Sequence, residues 1–171
     1  MKKTSTIFLS LLLLTACSGQ SNSVNMKILS ADFENEGTIP AKYTCDGDDV
    51  SPPLTLAEVP EDAESLVIIS DDPDAPAGTW VHWLMWNINP ATTEFPANSV
   101  PTDAVEGTNS FKNIGYGGPC PPSGVHRYYF RVYALDTVLD LPEGSTREAL
   151  DQAMEGHIID RGELMAKYSR S

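Results

Sequence analysis

Asp71 to Ile88 reads DDPDAPAGTWVHWLMWNI, and the order of its residue types predicts the end of one strand, a turn and a second strand. Leu66, Val67, Ile68 and Ile69 lead into it as an apolar run of strand character. Pro73 and Pro76 end that run, because proline cannot continue a central ladder. A strand therefore delivers carboxylates to its own end. The aromatic-rich run from Trp80 to Ile88 then has the length and composition of a strand buried on both faces. Strict alternation puts Trp80, His82, Leu84 and Trp86 on one face and Val81, Trp83, Met85 and Asn87 on the other. A second stretch, Gly115 to Tyr133 (GYGGPCPPSGVHRYYFRVY), groups His126, Tyr128 and Phe130 by the same count. If the two strands share a sheet, His82 and His126 face one pocket, with Asp72 and Asp74 arriving from the adjoining loop.

The 171 residues allow one domain with a sizeable core. Lys2 and Lys3 precede a short apolar run, Ile7 to Leu14, which is too brief to span a bilayer and has the shape of a secretory signal. Leu14-Thr15-Ala16-Cys17 looks like a bacterial lipoprotein box. It predicts cleavage after residue 16, acylation of Cys17 and a flexible tether over 17–26, leaving 27–171 as the folded domain. The expected location is the bacterial cell envelope, on the periplasmic face of the outer membrane in a Gram-negative cell, since Ser18 stands where an aspartate often retains such proteins in the inner membrane.

The formal charge is −13, and loss of residues 1–16 removes Lys2 and Lys3 and no acid, giving −15. Such a surface argues against nucleic acid as a partner and against general adhesion to anionic lipid. With Cys17 assigned to lipid, Cys45 and Cys120 are expected to pair, as leftover cysteines of an exported protein do.

Residues 26–33 alternate weakly and predict a first strand. Gly37 to Leu56, rich in proline, glycine and aspartate, reads as an irregular loop, and residues 89–114 read as connecting structure. Ser145-Thr146-Arg147-Glu148 fits a capping box opening a helix near 146–155 that Gly156 closes, with Ala149, Leu150, Ala153 and Met154 as its buried stripe. A last short strand is expected over Glu163 to Tyr168.

At DPDAP (72–76), His82-Trp83 and GPCPPSGVHRY (118–128), supported by YTCDG (43–47), SPPL (51–54) and GHI (156–158), the sequence resembles the phosphatidylethanolamine-binding protein family. It is most similar to the bacterial branch often labelled Raf kinase inhibitor-like. The resemblance runs from about Leu29 to Tyr168. It implies a mainly β fold of two antiparallel sheets with small flanking helices, and a pocket for phosphate-bearing head groups. Carried over residue by residue, that pocket comprises Asp72, Asp74, Pro76, Trp80, His82, Gly118, Cys120, His126 and Tyr128. Cys120 departs from the pattern, since better-known eukaryotic members have glycine there.

The implied function is a membrane-tethered, non-catalytic binding module for a small phosphorylated ligand or phospholipid head group, needing no cofactor. In this reading Asp72 and Asp74 hold His82 and His126 cationic or correctly oriented, so that phosphate meets imidazolium donors. The alternative is a protein-docking inhibitor or regulator of a kinase or protease. A third reading is a metal-dependent phosphoester hydrolase, with the two histidines and an aspartate as ligands.

Overall fold

The computed structural model describes residues 25–170; the expected leader, Cys17 and the tether as far as residue 24 lie outside them. Met26 already belongs to the folded body, with its side chain in the core and its backbone N–H donating to Asp160 Oδ2 at 2.8 Å.

The long apolar segments build a five-stranded sheet. β3 (Ser65–Asp72) is buried along its whole length and lies between β4 (Trp80–Ile88) and β7 (His126–Leu135). β6 (Val105–Glu106) and β8 (Ile158–Tyr168) form its edges. A second sheet pairs β1 (Lys27–Leu29), β2 (Leu54–Ala57) and β5 (Glu94–Phe95). All pairings within both sheets are antiparallel, so the chain is mainly β with two antiparallel sheets. One α-helix, α1 (Arg147–Met154), and one 3-10 turn, Ala41–Tyr43, complete the described elements.

The core has two layers, because β3 and β4 carry apolar side chains on both faces, while β7 adds Phe130 and Val132 to one layer and Leu135 to the other. Between the sheets, Ile28, Leu54, Leu56 and Phe95 meet Leu66, Ile68, Trp83, Met85, Phe130 and Val132. On the far face, Leu150 and Met154 of α1 cover Val67, Ile69, Leu84, Trp86 and Leu135. Each such side chain contributes about 1.5–3 kcal/mol by leaving water. Thr146 caps α1, its hydroxyl accepting from Ala149 N, so the cap stands one residue after the Ser145 that the sequence pattern selected.

Strict alternation fails in β4. Asp71 pairs with Val81 and Ser70 with Trp83, leaving His82 as an extra residue without a partner on β3. This bulge keeps Trp80 and His82 on the face turned toward Tyr128, as expected, but sends Leu84 and Trp86 to the helix side and brings Trp83 and Met85 over with His82. A second irregularity, with Asn87 at φ 56°, precedes Ile88. β2 also begins inside the expected loop, β5 and β6 interrupt the expected connection, and β8 starts five residues before Glu163.

Candidate functional site

Asp71 and Asp72, neighbours at the end of β3, point to opposite faces. On the helix side Asp71 is buried between Arg131, with which it forms an ion pair, and Arg147, with Nη1 at 3.0 Å from Oδ2. On the other side Asp72 Oδ1 accepts from Asp74 N at 2.8 Å, closing the turn through Pro73. Asp72 Oδ2 accepts from His126 Nδ1 at 2.7 Å. A single carboxylate thus fixes both the turn and an imidazole.

His82 is held by backbone instead. Its Nδ1 donates to Gly117 O at 2.6 Å, while its own carbonyl accepts from Gly117 N at 2.9 Å. The sequence expectation that both aspartates hold histidines is corrected here. Asp74 turns away to Arg127, accepting from its backbone N and Nε at 2.9 Å and from Nη2 at 2.6 Å. The Arg127 bond holds the Asp74 carboxyl down at about 2, and Arg127 is itself held above its ordinary value by that carboxylate. Burial pushes the basicity of His82 below the ordinary histidine value, outweighing the Gly117 carbonyl and the more distant Asp72 charge.

Tyr128 lies between the two rings, edge-on to His82 with centroids 5.3 Å apart and stacked on His126 at 6.4 Å. Burial first, then the Asp72 charge, raises its phenol well above the ordinary range, so it stays protonated. Its hydroxyl and the Trp80 indole N–H are buried with no hydrogen-bond partner in good geometry among the described residues.

The loop Tyr43–Asp49 supports the opposite wall. Asp49 Oδ1 accepts from Gly118 N at 2.7 Å, and Pro119 O accepts from Cys45 N at 3.1 Å. Gly118 is required by this close approach: a Cβ there would stand 2.6 Å from both Tyr43 O and Asp49 Oδ1. Cys45 and Cys120 form a disulfide with Cα atoms 5.4 Å apart, which ties the two loops together.

These pieces enclose a cavity of about 240 Å³ lined by Asp72, Pro76, Trp80, His82, Cys120 and His126 among the expected residues. Asp74, Gly118 and Tyr128 stand behind the lining rather than in it. Asp74 is taken up by Arg127, Gly118 holds the loop, and Tyr128 spaces the histidines. Sequence reasoning missed Phe111, which also lines the cavity. Its ring stands edge-on to Trp80 at 5.3 Å and to His82 at 5.6 Å, and it remains 40% exposed. Buried Asn109 builds the turn that presents it, accepting from Phe111 N at 2.9 Å and Asn113 N at 3.2 Å while donating to Gly115 O at 2.9 Å. The available signal was a lone aromatic between two asparagines in a polar stretch.

No group of three histidine, cysteine or acidic side chains stands in a metal-ligating arrangement among the described residues. None of the described helices is long and apolar enough to cross a membrane.

Comparisons place this geometry among known proteins. A family profile described as Phosphatidylethanolamine-binding protein matches residues 29–169. A UPF0098 protein of Pyrococcus abyssi is 51% identical over 163 residues, covering 90% of this chain and 90% of that protein. A UPF0098 protein of Archaeoglobus fulgidus is 50% identical, but the match spans only 55% of its length. Among solved structures, a putative phosphatidylethanolamine-binding protein homolog from Chlamydia trachomatis superposes with TM-score 0.83 at 44% identity, covering 86% of this chain and 99% of that one. Escherichia coli YbcL, described as a new member of the mammalian PEBP family, gives TM-score 0.81 at 29% identity with the same coverage. With the family profile, the sequence identities and the superpositions in agreement, the chain belongs to the phosphatidylethanolamine-binding protein family.

Proposed function

We propose that the protein is a non-catalytic binding module for a small phosphate-bearing ligand, either a free phosphoester or a phospholipid head group. The observation that carries this is the pair of histidines on one cavity, each with Nδ1 tied to a protein acceptor and Nε2 left to the cavity. A neutral imidazole so tied presents an Nε2 lone pair, and it becomes a donor to phosphate by taking up a proton. The Trp80 indole N–H beside it adds a donor without a protein partner. The apolar remainder, Pro76, Phe111 and Pro121, keeps water from competing for the anion.

Acylation at Cys17 would anchor this module in the bacterial envelope, on the periplasmic face of the outer membrane in a Gram-negative cell, with the pocket within reach of head groups. The lipoprotein box in the sequence supports that tether. A second reading, docking on a partner protein as an inhibitor in the manner suggested for the Raf kinase inhibitor-like branch, is favoured by Phe111 and by Val125, which is 65% exposed.

The deciding experiment is calorimetric titration of the purified protein with phosphorylethanolamine and with inorganic phosphate at two pH values, with His82→Ala as control. Saturable binding that weakens at high pH and is lost in the variant supports the head-group site. Absence of binding by a folded protein shifts the assignment to protein docking, and mass spectrometry of Cys17 in membrane fractions decides the anchor.

A further inference from the structure

The two histidines differ in what stands behind them. His82 is backed by the neutral carbonyl of Gly117. His126 is backed by the Asp72 carboxylate, whose second oxygen is fixed by Asp74 N–H, so the dyad cannot turn without opening the turn through Pro73. A carboxylate on Nδ1–H fixes the tautomer that leaves Nε2 as a lone pair. It also stabilises the imidazolium that forms when Nε2 attacks an electrophile. Among the described residues nothing hydrogen-bonds Nε2 of His126, and the ring lines the same cavity that this reading gives to phosphate. A nucleophile with a charge-stabilising partner in a pocket that collects phosphoryl groups has the parts required for phosphoryl capture.

The geometry points to His126 as a phosphoryl-acceptor site: Nε2 attacks the phosphorus of a small acyl phosphate held in the cavity and is converted to Nε2-phosphohistidine. The N–P bond forms as the bond from phosphorus to the acyl oxygen breaks, and the carboxylate leaves with the electron pair. No proton need move, since Nδ1–H stays on Asp72 and the new positive charge lies against that carboxylate. The event is stoichiometric and needs no turnover. Its product occupies the 240 Å³ cavity, so it closes the module to further ligand. Asp72 acts here as a positioning residue, through His126. The inference rests on the phosphate-site reading.

The test is incubation of the purified protein with acetyl phosphate, followed by intact mass measurement. The expected product is one phosphoryl increment per chain that is lost in acid and retained in alkali, as an N–P bond requires. It should be absent in His126→Asn and present in His157→Asn, whose ring pairs with Asp136 outside the cavity. Asp72→Asn should slow it on the order of 100-fold, a larger factor than the one by which it weakens inorganic phosphate in calorimetry. An acid-stable increment, or one that survives His126→Asn, overturns the assignment. No increment, with inorganic phosphate still binding by calorimetry, overturns phosphoryl capture and leaves the binding site standing. If inorganic phosphate does not bind at all, both fail together.

Discussion

Replacing Cys45 and Cys120 together by serine should cost about 4 kcal/mol, nearly all of it through the unfolded chain. The bridge spans a sequence separation of 75 residues. Chain-entropy arguments give about 3 kcal/mol for a 15-residue loop and about 4.7 for a 100-residue one, which brackets this case. In the folded state the same two loops are held without the sulfur atoms. Cys45 N donates to Pro119 O, Gly118 N to Asp49 Oδ1, and the Tyr116 hydroxyl to Tyr43 O at 2.8 Å. The pocket wall should therefore persist in Cys45→Ser/Cys120→Ser, with phosphate affinity little changed. For a domain of this size the melting temperature should fall by about 8–16 °C. Urea unfolding of the oxidised protein and the double variant, followed by Trp fluorescence, measures the difference. A loss below about 1 kcal/mol would refute the entropic account. A large drop in affinity with an intact fold would refute the claim that the backbone bonds suffice.

Three further outcomes follow from the site and its supports. Gly118→Ala forces a Cβ against Tyr43 O and the Asp49 carboxylate, and should cost about 1–3 kcal/mol in urea unfolding while weakening phosphate binding through displacement of the Cys120 loop. Asp71→Asn strips the charge from between Arg131 and Arg147. Because both guanidiniums are about a quarter exposed, the loss should be about 2–3 kcal/mol rather than the 3–5 of a fully buried pair. His82 is held below its ordinary basicity by burial, so the unfolded chain protonates first as pH falls through about 6.5, and this group contributes stability above that pH that is lost below it. Bound phosphate favours the imidazolium and offsets that loss, so its effect on melting temperature should be greater at about pH 5.5 than at about pH 8. An equal or smaller shift at the lower pH would count against proton uptake by the site.

The strands that make the central sheet were legible because Leu66 to Ile69 and Trp80 to Ile88 are too apolar for anything but burial on both faces. β5 and β6 were not, since two residues each carry no periodicity and exist only because an edge lies beside them. The first half of β8 was hidden for another reason: as an edge strand it leaves Ile158 to Glu163 largely to solvent, so no apolar alternation marks it. Six of the nine pocket residues that the family resemblance implied line the cavity, and of these Asp72, His82 and His126 were legible from the residues themselves, because chemistry-bearing types cluster at the two strand ends. The errors concern partners. Asp74 and Asp72 look alike in sequence, and only the fold decides that one meets Arg127 and the other His126. The bulge at His82 was invisible, since no glycine marks it.

That bulge sets how the site responds to insertion and deletion. Because His82 has no opposite number on β3, removing one residue at this point would restore an even ladder and rotate Trp80 with everything before it to the other side of the sheet. Composition, hydropathy and every downstream strand would be nearly unchanged, yet the aromatic wall would be gone. Homologues can therefore be sorted by counting the residues between DPDAP and the His-Trp pair. A chain one residue short in that interval can keep the fold and every signature residue and still lack the pocket.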